Sequence, residues 1–264
     1  ELIKMRDGFA NKTSIIDHRD GKFIAMTDIG APNYRVVSID PQNLDLANWA
    51  DILSEREETL VNVSTAGGYL FPEYLNSAIS QVFQMDYEGN VIREIDFPAP
   101  GSASGFSGKK EDGEVFYSFY SFTYPPTIFQ LDLASGESNL FTKPELKFDP
   151  EEYVSKQVRY KSKDGTEVPM FIVHKKNIEM NGENPTLLYG YGGFNISLSP
   201  SFSASNIFFM ENGGVYALAN LRGGGEFGEE WHKQGMKLNA QNVFDGFIDA
   251  AEYLISENYT SSDR

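Results

Sequence analysis

One motif returns three times in the first half of the chain at a fixed interval, and that interval limits the folds open to it. Tyr34-Arg35-Val36-Val37-Ser38-Ile39-Asp40 is matched by Ser80-Gln81-Val82-Phe83-Gln84-Met85-Asp86 and by Pro126-Thr127-Ile128-Phe129-Gln130-Leu131-Asp132, so the closing aspartates fall 46 residues apart both times. Gly21, Gly67 and Gly113 keep the same spacing, and the apolar runs after them start at Phe23, Tyr69 and Val115. Short apolar runs between turn residues, repeated every 40–50 residues or so, are the mark of four-stranded β-propeller blades. Helical solenoids share the period, but their helices do not carry such β-branched and aromatic runs. The expectation is a partial β-propeller over residues 1–147, three blades long. Propellers close with about four to eight blades, and an open set leaves apolar blade faces bare. These blades are therefore expected to belong to a longer protein.

After Lys147 the repeat stops at a linker-like Phe148-Asp149-Pro150-Glu151-Glu152. Val154–Tyr160 and Val168–Val173 flank Asp164-Gly165, the pattern of a β-hairpin, and Pro169 belongs at an edge or a strand start because it has no N–H to donate. Thr186–Tyr189 forms a further strand. Val215–Asn220 is nearly all apolar, as a strand covered on both faces is. Between Gln241 and Glu257, Val243, Phe244, Phe247, Ile248, Ala251, Leu254 and Ile255 recur at helical spacing. They predict one buried helix face, with Asn239 or Asn242 as N-cap and Asn258 as a left-handed terminator. Residues 148–264 thus read as the N-terminal part of an α/β domain.

Composition excludes several function classes. A formal charge of −16 argues against nucleic acid and anionic membrane surfaces as partners. Without cysteine there is no disulfide, no thiolate metal site and no cysteine nucleophile. That suits the cytoplasm, and also a bacterial periplasmic protein that needs no bridges. No apolar run reaches the length that spans a bilayer. His18, His174 and His232 lack metal-ligand spacing and read as surface or packing residues, so no metal is expected.

Two dense stretches carry the chemistry. Leu187-Leu188-Tyr189-Gly190-Tyr191-Gly192-Gly193-Phe194-Asn195 is a strand that empties into a glycine turn. On its own, Tyr191 is either an aromatic wedge or a hydroxyl donor, since phenols in general keep their proton to about pH 10. Phe194 on its own is a core residue. The second stretch runs from Leu221 through Arg222-Gly223-Gly224-Gly225-Glu226-Phe227-Gly228-Glu229-Glu230-Trp231 to His232. Gly223, Gly225 and Gly228 satisfy the dinucleotide-binding spacing. Glu229 and Glu230, however, stand where a pyrophosphate needs a positive helix terminus. On that context the dinucleotide reading fails. Ser197, Ser199, Ser201, Ser203 and Ser205 have no base in reach and no nucleophile-elbow setting.

Together the two stretches resemble the prolyl oligopeptidases, serine peptidases that cut short peptides after proline. The resemblance is close from about Glu151 to Arg264 and architectural before that. It implies β-propeller blades followed by the N-terminal part of an α/β-hydrolase domain, and no cofactor. It also implies a serine nucleophile, with its histidine and aspartate, in the complementary remainder of the same enzyme. Tyr191 would donate to the oxyanion, Phe194 would line the pocket for the proline ring, and the run from Leu221 to His232 would be a structural loop braced by Arg222 and Glu226. The propeller would admit only short proline-containing peptides, and this chain alone would be inactive. An oligopeptidase B-like enzyme cutting after basic residues is the alternative within the class. Outside it stands a non-catalytic propeller-containing binding module.

Overall fold

The repeated aspartate is a turn former. In each unit its Oδ1 accepts a backbone N–H two residues on, from Gln42 to Asp40 (2.8 Å), Glu88 to Asp86 (3.0 Å) and Ala134 to Asp132 (3.1 Å). This side-chain turn reverses the chain after the third strand of every unit. The computed structural model describes residues 4, 5 and 8–264. Three four-stranded antiparallel sheets come first. The first holds β1 (Thr13–Arg19), β2 (Lys22–Thr27), β3 (Arg35–Ile39) and β4 (Ala50–Leu53). The second holds β5 (Thr59–Ala66), β6 (Tyr69–Asn76), β7 (Ile79–Met85) and β8 (Val91–Glu94). The third holds β9 (Ser102–Gly105), β10 (Glu114–Tyr120), β11 (Thr127–Asp132) and β12 (Ser138–Thr142). The motif that repeats in the sequence is thus the third strand of each sheet, and the glycine-led run is the second. Gly21 and Gly67 sit in two-residue hairpin turns with positive φ, which only such residues enter freely.

The sheets stack through apolar side chains. Ile24, Val36 and Leu53 of the first meet Leu60, Leu70 and Phe83 of the second. Phe71, Phe106, Tyr117 and Phe129 form a ladder of stacked rings between the second and third, with centroids 4.7–5.7 Å apart. Such pairs add to the burial of their large apolar area.

A fourth, mixed sheet follows: β13 (Tyr153–Lys161), β14 (Glu167–Lys175), β15 (Thr186–Gly190) and β16 (Val215–Ala219), in the order β13-β14-β16-β15. β13 and β14 form the expected hairpin. Pro169 lies inside β14, but its carbonyl faces β16 and accepts from Asn220 N, just where that pairing ends, so its missing N–H interrupts no paired row. β15 runs parallel to β16 and is joined to it through α1 (Ala204–Glu211). Every residue of β16 is buried. Ala78 and Phe122 from the blades enter one apolar cluster with Phe171 and Tyr216 of this sheet, which seats the blades on it.

The last helix differs from expectation in two ways. After α2 (Gly228–Lys233) comes α3 (Gln241–Ser256), which buries Gly246, Ala250 and Leu254 but leaves Phe244, Phe247, Ile248 and Ile255 exposed. Its apolar residues form two stripes, of which the i, i+4, i+8 row with small residues is the one that fits the sheet. Neither Asn239 nor Asn242 caps it: Ala240 holds the N-cap position, and the two side-chain amides donate instead to Lys233 O and Gln234 O. Asn258 ends the helix region with φ +60°, as a left-handed terminator does. Among the described residues, no helix is long and apolar enough to cross a membrane.

Candidate active site

In open α/β sheets, ligands bind beyond the carboxyl ends of parallel strands. Here β15 and β16 end level with each other, Gly190 opposite Ala219, and the two dense sequence stretches are the loops that follow them. Those loops lie backbone against backbone. A Cβ on Gly192 would stand 2.5 Å from Arg222 O, and one on Gly223 would stand 2.6 Å from Gly192 O. Real side chains do not come so close, so the glycines serve contact between loops. No phosphate cradle is needed to explain them.

Tyr191 leaves this crossing partly exposed, 38% accessible, and among the described residues its hydroxyl has no hydrogen-bond partner. It lines a cleft of about 430 Å³ with Gly190, Leu221, Val243, Phe244 and Phe247. Phe194 does not line that cleft; its ring projects outward with 85% accessibility. The backbone there is unusual. Phe194 and Asn195 both have positive φ, +54° and +59°, inside a turn closed by Ile196 N–H to Gly193 O (3.1 Å). A bulky residue in the left-handed region persists only where its surroundings impose it.

The imposing contacts come from the second loop. Asn195 N–H donates to Gly223 O (3.1 Å), and Asn195 Nδ2 donates to Glu229 Oε1 (2.9 Å). Glu226 is fully buried; its Oε1 accepts from Leu198 N (2.8 Å) and Asn220 Nδ2 (3.3 Å), while Oε2 has no partner among the described residues. Burial pushes its carboxyl up to about 7. Arg222, buried as well, forks onto Asp164 and also donates to Thr166 Oγ1 and Ser162 Oγ. That hydrogen bonding holds the Asp164 carboxyl down to about 2. Arg222 and Glu226 thus brace the loop against different neighbours, the hairpin turn on one side and the Leu198 segment on the other.

The histidines take no part in this cleft. His18 is exposed, and His174 is buried with Nδ1 donating to Lys175 O (2.8 Å). His232 donates from Nδ1 to Gly223 O (2.7 Å), steadying the glycine loop. Among the described residues, no group of three or more His, Asp or Glu stands where it could hold a metal. The sequence reading missed Asn195 and Glu229 as partners. Its only signal for Glu229 was an acidic residue in the first turn of a short helix, which by itself specifies no contact.

Three four-stranded blades seated on a mixed sheet, with a tyrosine turn at the carboxyl ends of its parallel strands, define a β-propeller joined to the opening of an α/β-hydrolase domain. Residues 1–144 match the family model described as the prolyl oligopeptidase N-terminal beta-propeller domain, and residues 200–264 match that of the prolyl oligopeptidase family. The chain is 46% identical over 263 residues to a prolyl endopeptidase of Elizabethkingia miricola, an alignment that covers 100% of this chain and 37% of that protein. It is similar to a solved prolyl endopeptidase, one of two studied for the role of inter-domain dynamics in catalysis and specificity. The TM-score there is 0.94 at 42% identity, covering 97% of this chain and 38% of that one. Prolyl oligopeptidase B of Galerina marginata matches with a TM-score of 0.92 when bound to a 25mer macrocyclization substrate and 0.79 as the apo protein, each time at 30% identity over 98% of this chain and 37% of that one. The chain belongs to the prolyl oligopeptidase family. It spans a little over a third of the length of these relatives.

Proposed function

We propose that the protein containing this chain is a serine endopeptidase that hydrolyses short peptides on the carboxyl side of proline. The observation that carries this reading is the free Tyr191 hydroxyl, held on a glycine turn at the carboxyl end of β15 in a chain 46% identical to a prolyl endopeptidase. A neutral hydroxyl so placed can donate to the oxyanion that forms when a serine attacks a peptide carbonyl. Phe194 offers a flat apolar wall to a proline ring, which has no donor of its own. The nucleophile, its base and the orienting carboxylate come from the complementary remainder of the enzyme, and the blades screen the site from folded proteins. We set the border between blades and hydrolase part at Lys147/Phe148. The absence of cysteine favours the cytoplasm, with the bacterial periplasm second.

A panel of chromogenic peptides, incubated with the full-length protein, tests the reading. Cleavage after proline at least tenfold faster than after arginine or lysine is expected. Preference for the basic residues would make it an oligopeptidase B-like enzyme. No turnover and no labelling by a fluorophosphonate would leave a binding module.

A further inference from the structure

We infer that Glu229 is a positioning residue through which the first propeller blade sets the Phe194–Asn195 turn. The inference rests on the reading of Phe194 as a substrate contact, and it adds a control over that contact from the other domain.

Three donors converge on one carboxylate oxygen. Glu229 Oε1 accepts from Lys12 Nζ (2.9 Å) and Tyr34 OH (2.8 Å), both of the first blade, and from Asn195 Nδ2 (2.9 Å) of the turn. The Glu229 backbone N–H adds a third bond to the blade, donating to Pro32 O (3.0 Å). Its side chain is only 12% accessible, so these bonds replace water. Burial and the Glu229 carboxylate push the Tyr34 phenol up to about 12, so it remains a donor throughout the working pH range.

The backbone on both sides of this carboxylate is held in the left-handed region: Tyr34 at φ +68°, Phe194 at +54° and Asn195 at +59°. Three non-glycine residues in that region, two of them bonded to the same oxygen, are more than a surface ion pair requires. Among the described residues the buried Asn195 Oδ1 has no hydrogen-bond partner, and Glu229 supplies the hydrogen bond to that side chain. Phe194 is adjacent in sequence, and its ring is 85% accessible, so little of it is held by packing. The carboxylate therefore transmits the seating of the blade to the turn. When the blade is seated, Lys12 and Tyr34 neutralise and orient Glu229, which orients Asn195 and presents the Phe194 ring. When the blade moves away, the same carboxylate loses two of its three side-chain donors, and the turn keeps its Gly223 bond and a bond to a Glu229 carboxylate that the blade no longer orients. The apolar wall for the substrate is complete only with the propeller in place.

Tyr34→Phe and Lys12→Met, made in the full-length protein, remove the blade's donors without touching the turn. Glu229→Gln keeps the shape and removes the charge. Two readouts are needed. In hydrogen exchange, a peptide covering residues 193–198 should exchange at least several-fold faster in Tyr34→Phe and Glu229→Gln, while peptides of the β13–β14 hairpin stay unchanged. In kinetics on a proline peptide, Tyr34→Phe should raise KM several-fold with a smaller change in kcat, and this increase should vanish in a Phe194→Ala background. Unchanged exchange at 193–198 in both variants overturns the proposal, as does a Tyr34→Phe effect on KM that persists fully without the Phe194 ring. If Phe194→Ala itself leaves KM unaltered, the substrate role of Phe194 fails, and the exchange data still decide whether Glu229 couples the blade to the turn.

Discussion

Tyr191 and Phe194 share a turn, and their side chains do different things. Tyr191 faces a cleft with an unpartnered hydroxyl, so Tyr191→Phe keeps the ring and removes one donor. An oxyanion donor acts in the transition state, and its loss lowers rate on the order of 10²-fold, about 3 kcal/mol. The full-length variant should therefore lose kcat on a proline peptide with KM little changed, and an intact kcat would reduce Tyr191 to packing. On the proposed role of Phe194 as a wall for the proline ring, Phe194→Ala should raise KM by a factor worth roughly 1–3 kcal/mol. Glu226 is a residue-scale test of a different kind. Its folded-state carboxyl sits near 7, above the ordinary 4.5, because burial disfavours the charge. The folded protein thus holds a proton that the unfolded chain releases at lower pH, so this group's contribution is full below 4.5 and is lost as pH rises through 7. Glu226→Gln stays neutral and should be the more stable protein at pH 8, by on the order of 3 kcal/mol, with little difference at pH 4.5. Calorimetry at the two pH values reads this directly; equal stabilities at pH 8 would mean the buried carboxylate is not penalised.

At the scale of elements, the two loops beyond β15 and β16 behave as one unit because glycine lets their backbones touch. Gly223 has φ +93°, and a Cβ there would sit 2.6 Å from Gly192 O, whereas Gly21 at φ +76° has open space around it. Gly21→Ala should lose about 1 kcal/mol from conformation alone. Gly223→Ala must also push the loops apart, at roughly 2–4 kcal/mol, within the range of severe single substitutions. Denaturant unfolding of both variants in the full-length protein compares them, and equal losses would show that close approach adds nothing. The blades follow the same logic at lower density: one aspartate turn per unit is enough to return the chain after each third strand.

Among the described residues, apolar surface and a strand edge stay uncovered beside the cleft. The outward stripe of α3, with Phe244, Phe247, Ile248 and Ile255, stands near the cleft, and β15 is bonded on one side only, to β16. Exposed apolar patches and bare strand edges favour association. The 264-residue chain prepared by itself should therefore self-associate or bind a complementary segment, and it should take up no fluorophosphonate. A monomeric species in sedimentation with one cooperative melt would contradict the first expectation, and a stoichiometric serine adduct by intact mass the second.

Short-range chemistry was legible in the residues alone. The 46-residue period gave the blades because each unit repeats its own turn formers, and alternation, glycine turns and Asn258 located the hairpin, the strands and the helix end. The glycine run after β16 was recognisable as a loop, and Tyr191 as a donor or a wedge. What the sequence could not supply was any pairing between distant segments. The split of α3 into an inner and an outer stripe depends on which side the sheet occupies, and helical spacing alone does not say. Asn239 and Asn242 looked like caps, but their amides found carbonyls at the end of α2, a choice set by how the two helices meet. Lys12, Tyr34, Asn195 and Glu229 come from four separate stretches of chain, up to 217 residues apart, and none carries a local signature of the others. A carboxylate in a helix's first turn is neutral information until the tertiary structure brings three donors within 3 Å of it, because hydrogen bonds act only at contact, and contact between such segments is decided by the packing of the whole chain.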